Sequence, residues 1–180
     1  PIGITLPQGS HANVLIYDRQ SNEIERFEPH GSKFPYKFNY NPNILDDILE
    51  DKFNDFFENV KYFKPKDYLP NFGFQYLENY TSYKTHHIGD PNGFCAIWCT
   101  WYVNLRMRYH KYNRKKLVKV LIKRIIQQEV YYIRAMIRSF SKKITNLRDI
   151  YLKKVNLNIN NWKNNIVSRL QLQNLVSLIQ

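Results

Sequence analysis

Residues 94–103, Phe-Cys-Ala-Ile-Trp-Cys-Thr-Trp-Tyr-Val, form an apolar run broken only by Thr100. A bilayer-spanning helix needs about 20 apolar residues, and no run of that kind occurs anywhere in the chain. The run must therefore be covered by protein. Read as a helix beginning near Gly93 it is apolar on every side, the pattern of a helix at the centre of a domain. A chain of 180 residues can supply that cover in one ordinary domain, which buries roughly two-thirds of the surface that its unfolded form exposes. Hydrophobic residues make up 43% and aromatics 16%, which excludes a disordered chain although the mean hydropathy is −0.55.

What covers the run is read from the remaining periodicities. The first residues read as an extended segment leading to His11, followed by two short strands, Val14–Tyr17 and Glu23–Phe27. Asp18-Arg19-Gln20-Ser21-Asn22 lies between them, and this cluster of turn formers predicts a β-hairpin. A turn centred on Arg19 and Gln20 would set His11 opposite Glu28, with Cβ atoms about 5 Å apart. Ile44, Leu45, Ile48, Leu49, Phe53, Phe56, Phe57 and Val60 recur at helical spacing, with Asn43 as the expected cap. Residues 61–92, with Pro65, Pro70, Gly73, Gly89 and Pro91, read as irregular chain holding one short strand. From Lys115 onward the pattern predicts two to four helices, broken near Ser141 and near Asn156–Asn161. The chain contains no internal repeat. These readings divide it into a core over residues 1–112 and a basic helical extension over residues 113–180. The start at Pro1 reads as that of an N-terminally truncated piece.

The net charge of +12 belongs to the second half. Residues 1–100 hold 9 Lys and Arg against 13 Asp and Glu, a balance of −4, and residues 101–180 hold 18 against 2, a balance of +16. Such asymmetry points to DNA or an acidic partner at the C-terminal helices, or else to solvated helix faces. Tyr131, Tyr132, Tyr151 and Trp162 are interleaved with these cations, and at helical spacing a core role is expected for most of them. His110, among Arg106, Arg108, Lys111 and Arg114, reads as surface charge near a helix C-terminus. Neither a secretory leader nor a membrane span is expected, and two cysteines four residues apart suit a reducing compartment.

Cys95 falls in the first turn of the apolar helix, where unpaired backbone N–H groups favour a thiolate. An imidazole such as His11 can act as its base, and Glu28, facing that imidazole, would fix its tautomer and stabilise its charged form. Each residue has a plainer reading: Cys95 as core packing, His11 as a structural strand residue, Glu28 as a solvated strand end. Cys95 and Cys99 with His86 and His87 could be written as a zinc site, but the spacing matches no common pattern. No metal or cofactor is therefore expected.

The blocks Gly9-Ser10-His11-Ala12-Asn13-Val14-Leu15-Ile16-Tyr17-Asp18 and Phe27-Glu28-Pro29-His30-Gly31, with Asp90-Pro91-Asn92-Gly93-Phe94-Cys95-Ala96, resemble adenain-like and SUMO-specific cysteine proteases in sequence and in His, acid, Cys order. The resemblance covers residues 9–31 and 88–105. It implies an α+β, papain-like fold in permuted order, with a small sheet packed on a central Cys-bearing helix. It further implies a cysteine endopeptidase or isopeptidase acting through a thioester acyl-enzyme, with His11, Glu28 and Cys95 catalytic. A polypeptide substrate, such as a viral structural precursor or a ubiquitin-like conjugate, would follow, in the host cytoplasm or virion. The Gln that the family places five to seven residues before the Cys is absent, since Asp90, Gly89 and Ile88 occupy those positions. The oxyanion-stabilising surroundings are thus expected at Asp90, Gly93 and the Cys95 amide. Gln75 is twenty residues away and would need the fold to bring it in. The alternative is a catalytically inactive homologue serving as a protein- or nucleic-acid-binding module.

Overall fold

The computed structural model describes residues 1–6, 9–33, 40–80, 93–128 and 131–179. Among these it is a mixed α+β protein with a four-stranded sheet and eight helices. The chain divides into two compact units, Pro1–Ile137 and Arg138–Gln180.

In the first unit, β1 (Ile2–Leu6), β2 (Gly9–Asp18) and β3 (Glu23–Phe27) pair antiparallel in sequence order, and β4 (Lys61–Phe63) adds parallel to β3. The β2–β3 register differs from expectation. Asp18 pairs with Glu23 and Val14 with Phe27, so Arg19–Asn22 form a wider turn than one centred on Arg19 and Gln20. The Asp18 carboxylate accepts from the Gln20 backbone N–H at 2.9 Å, and Asn22 takes up the left-handed conformation at φ 53°. The ladder is displaced by two residues. Because strand side chains alternate with period two, His11 stays on the face that Glu28 continues and becomes its diagonal neighbour.

α1 runs over Pro42–Phe56 and is capped by Asn41, whose side chain accepts from the Asn43 backbone N–H, with Pro42 at the first helical position. The expected cap was two residues too late. Asp46 is buried: Arg26 of β3 donates to it from Nε at 2.6 Å and from a terminal nitrogen at 2.8 Å, and Tyr62 Oη donates at 2.9 Å.

The apolar run forms α4 (Cys95–Arg108), which packs across β2. Trp98, Cys99, Tyr102 and Arg106 are buried, whereas Ala96, Thr100, Asn104 and Met107 make an exposed outer face. The expectation of a helix enclosed on all sides is thereby corrected: at spacings of three and four, its smaller and more polar residues fall together on the side away from the sheet. Phe27 stacks on Tyr102 with ring centroids 3.9 Å apart. Phe74, at the start of α3 (Phe74–Tyr80), packs at 5.7 Å on Trp98 and edge-on at 5.3 Å on Trp101.

Two glycines clasp α3 to the turn after β3. A Cβ on Gly31, which has φ 107°, would lie 2.5 Å from the Gly73 nitrogen, and one on Gly73 would lie 2.5 Å from the Gly31 nitrogen. The approach lets Gly73 N–H reach the His30 carbonyl at 2.6 Å and Gln75 N–H the Pro29 carbonyl at 2.9 Å.

α2 (Pro65–Tyr68) packs against α5 (Arg114–Gln127), which Asn113 caps by accepting from Lys116 N–H. This contact places α5 in the first unit, whereas a boundary after residue 112 was expected. His110 is exposed, as expected of a surface charge, but its neighbours Arg106 and Arg114 are buried. The Nε atoms of these two arginines donate to the Glu25 carboxylate at 3.1 and 2.7 Å, Arg114 reaches Glu23 as well, and Tyr102 Oη donates to Glu25 at 3.0 Å. Arg134 is buried against Glu78, with Nε to Oε1 at 2.7 Å.

α6 (Tyr131–Lys154) continues through Ser141, where a break was expected. A single Ser costs a helix only tenths of a kcal/mol, which good helix formers on either side outweigh. In the second unit the chain turns through Asn156 at φ 55° into α7 (Ile159–Lys163), then through Asn165 at φ 55° to α8 (Arg169–Ile179). Leu152, Val155, Leu157 and Leu175 form this unit's core, flanked by Tyr151, Ile159 and Val167. Among the described residues no helix is long and apolar enough to cross a membrane.

Candidate functional site

The structure gathers His11, Glu28 and Cys95 into one cluster. β2 supplies His11, the turn after β3 supplies Glu28, and the first position of α4 supplies Cys95. His11 is 2% exposed, and its Nε2 lies 2.8 and 3.0 Å from the two Glu28 oxygens. The His11 ring also hydrogen-bonds the Cys95 thiol. Glu28 further accepts from Asn13 Nδ2 at 2.9 Å, the His30 backbone N–H at 2.9 Å and Tyr40 Oη at 2.8 Å.

These contacts set the charge states. Burial disfavours a charged His11, but hydrogen bonds to Cys95 and Glu28 and their negative charges outweigh it and raise the imidazole to about 9. Burial raises Glu28, yet the hydrogen bond and charge of His11, with the His30 amide and Tyr40, bring it below its usual value. Burial likewise raises the Cys95 thiol, and the His11 hydrogen bond, the Ala12 amide and the imidazolium charge bring it down on balance. His30, whose ring centroid lies 5.2 Å from that of His11, is pushed down to about 4 by burial and stays neutral. The contacts thus favour the thiolate form of Cys95 and the charged form of His11, whose ring a fixed carboxylate holds in place.

Of the other expected site residues, Asp90 lies outside the described residues, as do His86 and His87. Among the described residues no group of His, Cys, Asp or Glu is arranged to hold a metal. Gly93 stands beside Gln75, whose Nε2 would be 3.1 Å from a Cβ at Gly93. Cys99 donates to the Ala12 carbonyl at 3.4 Å, and burial pushes its thiol well above the ordinary value. Asn13 and Tyr40 were missed in the sequence. Asn13 carried a signal, since it lies two residues from His11 and so on the same strand face.

A second candidate lies at α5. An apolar groove of about 540 Å3 is floored by Tyr68, Leu69, Val118, Ile122 and Ile126. Lys115, Lys119 and Lys123, one turn apart, line it, and none has an ion-pair partner among the described residues. Lys116 does not line it. Of the aromatics singled out among the basic helices, Tyr151 packs on the core of the second unit, while Tyr132 and Trp162 are exposed.

No family model and no solved structure matches the chain. Among curated proteins it is 48% identical over 172 residues to an ankyrin repeat protein of Acanthamoeba polyphaga mimivirus, a match that covers 92% of this chain and 22% of that relative. The chain thus spans about a fifth of the relative's length, and it carries no internal repeat of its own. The relative's name is that of a repeat protein and not of a peptidase. On that finding the reading of the chain as an adenain-like cysteine protease is corrected, and with it the endopeptidase or isopeptidase function, the thioester acyl-enzyme and the viral-precursor or ubiquitin-like substrates. The physical ground is that a His, carboxylate and Cys cluster polarises a thiol locally and does not of itself specify turnover.

Proposed function

We propose that the chain is a non-catalytic protein-interaction module, whose docking surface is the groove beside α5 and whose occupant is an acidic amphipathic helix of another polypeptide. The observation that carries this is the pairing of an apolar floor with three lysines one turn apart, Lys115, Lys119 and Lys123, which have no ion-pair partner among the described residues. An amphipathic helix offers apolar side chains at spacings of three and four to such a floor, and its flanking carboxylates meet the lysines. The relative's name, that of an ankyrin repeat protein, agrees with a role in protein interaction. Its viral source agrees with host cytoplasm or virion as the setting. For the fold, the papain-like arrangement of sheet and Cys-bearing helix is part of the proposal, supported by the packing of α4 across β2.

The test uses a synthetic amphipathic helical peptide with Glu flanking a Leu face, and a scrambled control. Binding of the first alone, reduced at least tenfold by Lys119→Glu with Lys123→Glu and little changed by Lys116→Glu or Cys95→Ala, is expected. Equal binding of both peptides, or preference for duplex DNA with a steep salt dependence, would overturn the reading.

A further inference from the structure

The cluster at the start of α4 is not used by the docking surface, and its chemistry stands independently of that reading. We propose that Cys95 is a site of stoichiometric covalent modification by small hydroperoxides, with His11 as proton donor to the leaving oxygen. Three features carry this. Cys95 is half-buried at the first position of a 14-residue helix, where backbone N–H groups favour anionic sulfur. The His11 ring joins it to Glu28, which five hydrogen bonds fix in place: two from His11 and one each from Asn13, the His30 amide and Tyr40.

The third feature points to a guest. Gln75 is 4% exposed, its Oε1 has no hydrogen-bond partner among the described residues, and its amide lies against Gly93, two residues before Cys95. The glycine clasp between residues 31 and 73 holds this amide there. Its oxygen and nitrogen are interchangeable in placement, so whichever is left unpartnered can offer a small polar molecule a hydrogen bond.

In the reaction the Cys95 sulfur attacks one peroxide oxygen. The S–O bond forms as the O–O bond breaks, sulfur gives up two electrons and the peroxide takes them. The departing alkoxide or hydroxide receives the His11 proton and leaves as an alcohol or water, while Cys95 becomes a sulfenic acid. The titratable groups that face the Cys95 sulfur are His11 from β2, Glu28 and the neutral His30 from the turn after β3, Tyr40, and Cys99 from α4 itself. Burial keeps Cys99 protonated, so it serves as an internal control.

The experiment treats the full chain with hydrogen peroxide, traps sulfenic acid with dimedone and reads each cysteine by mass spectrometry. Trapping at Cys95 at least about tenfold faster than at Cys99, slowed about tenfold by His11→Gln and less by Gln75→Leu, is the expected result. A rate at Cys95 equal to that at Cys99, or unchanged in a folded His11→Gln variant, would overturn the proposal. Should His11→Gln fail to fold, the wild-type pH profile decides. A rate nearly flat from about pH 7 to 8.5 supports a preformed thiolate, and a rate rising about tenfold per pH unit, as for an ordinary thiol, refutes it. Fast alkylation by iodoacetamide without any dimedone adduct would refute the peroxide assignment.

Discussion

Glu28 receives five hydrogen bonds from described residues, and removing its charge while keeping its shape isolates what that charge does. Glu28→Gln leaves an imidazole without its counter-ion, so the His11 value is expected to fall from about 9 toward the ordinary histidine value, measured by NMR titration of the ring. Breaking a buried pair in this way costs about 3 kcal/mol. The pH dependence has a definite sign. His11 is raised in the folded state, so the stability it contributes is fully present below about pH 6.5 and is lost as pH rises through about 9. Glu28 is lowered, so its contribution is present above the ordinary carboxylate value and is lost in acid. Urea unfolding of wild type and His11→Ala should therefore differ more at pH 7 than at pH 10, and a difference that widens at pH 10 would contradict the assignment.

At the level of elements, β3 was legible to the residue because Ile24 and Phe27 bracket a short run between turn formers. The register beside it was not, because a cluster of turn residues marks a turn without fixing how many of them belong to it. The buried arginines were illegible for another reason. Arg106 and Arg114 answer to Glu25, 81 and 89 residues away, and a charge run looks solvated until such a partner is placed. A hairpin set His11 near Glu28 and a helix start marked Cys95, but only the resemblance of their ordered blocks to a known family joined the three, whereas Gln75 needed the glycine clasp. Gly73→Ala is accordingly expected to destabilise the first unit and to slow dimedone trapping at Cys95, because a Cβ would meet the Gly31 nitrogen at 2.5 Å. Asn113→Ala removes the cap of α5 and touches none of the Cys95, His11 and Glu28 contacts given above, so it should cost about 1 kcal/mol in denaturant unfolding while leaving Cys95 trapping unaltered. Equal trapping in the two variants would dissociate the clasp from the thiol.

Across the whole molecule, charge and cores are partitioned. Of the basic residues, Arg26, Arg106, Arg114 and Arg134 are spent on internal carboxylates, which leaves the lysines of α5 to face solvent and any partner. The second unit has its own small core, so Leu152→Ala, worth about 2–4 kcal/mol by cavity formation, should speed amide exchange in residues 138–179 and leave β2 and α4 protected. Uniform loss of protection would show one cooperative unit instead of two. Asn22, Asn59, Asn156 and Asn165 all turn the chain through the left-handed region, where glycine is the usual choice. Every glycine codon opens with two guanines, whereas asparagine is written almost wholly in adenine and thymine. A gene poor in G and C can therefore still encode sharp reversals, so its nucleotide bias shapes which residue makes a turn without deciding where the chain turns.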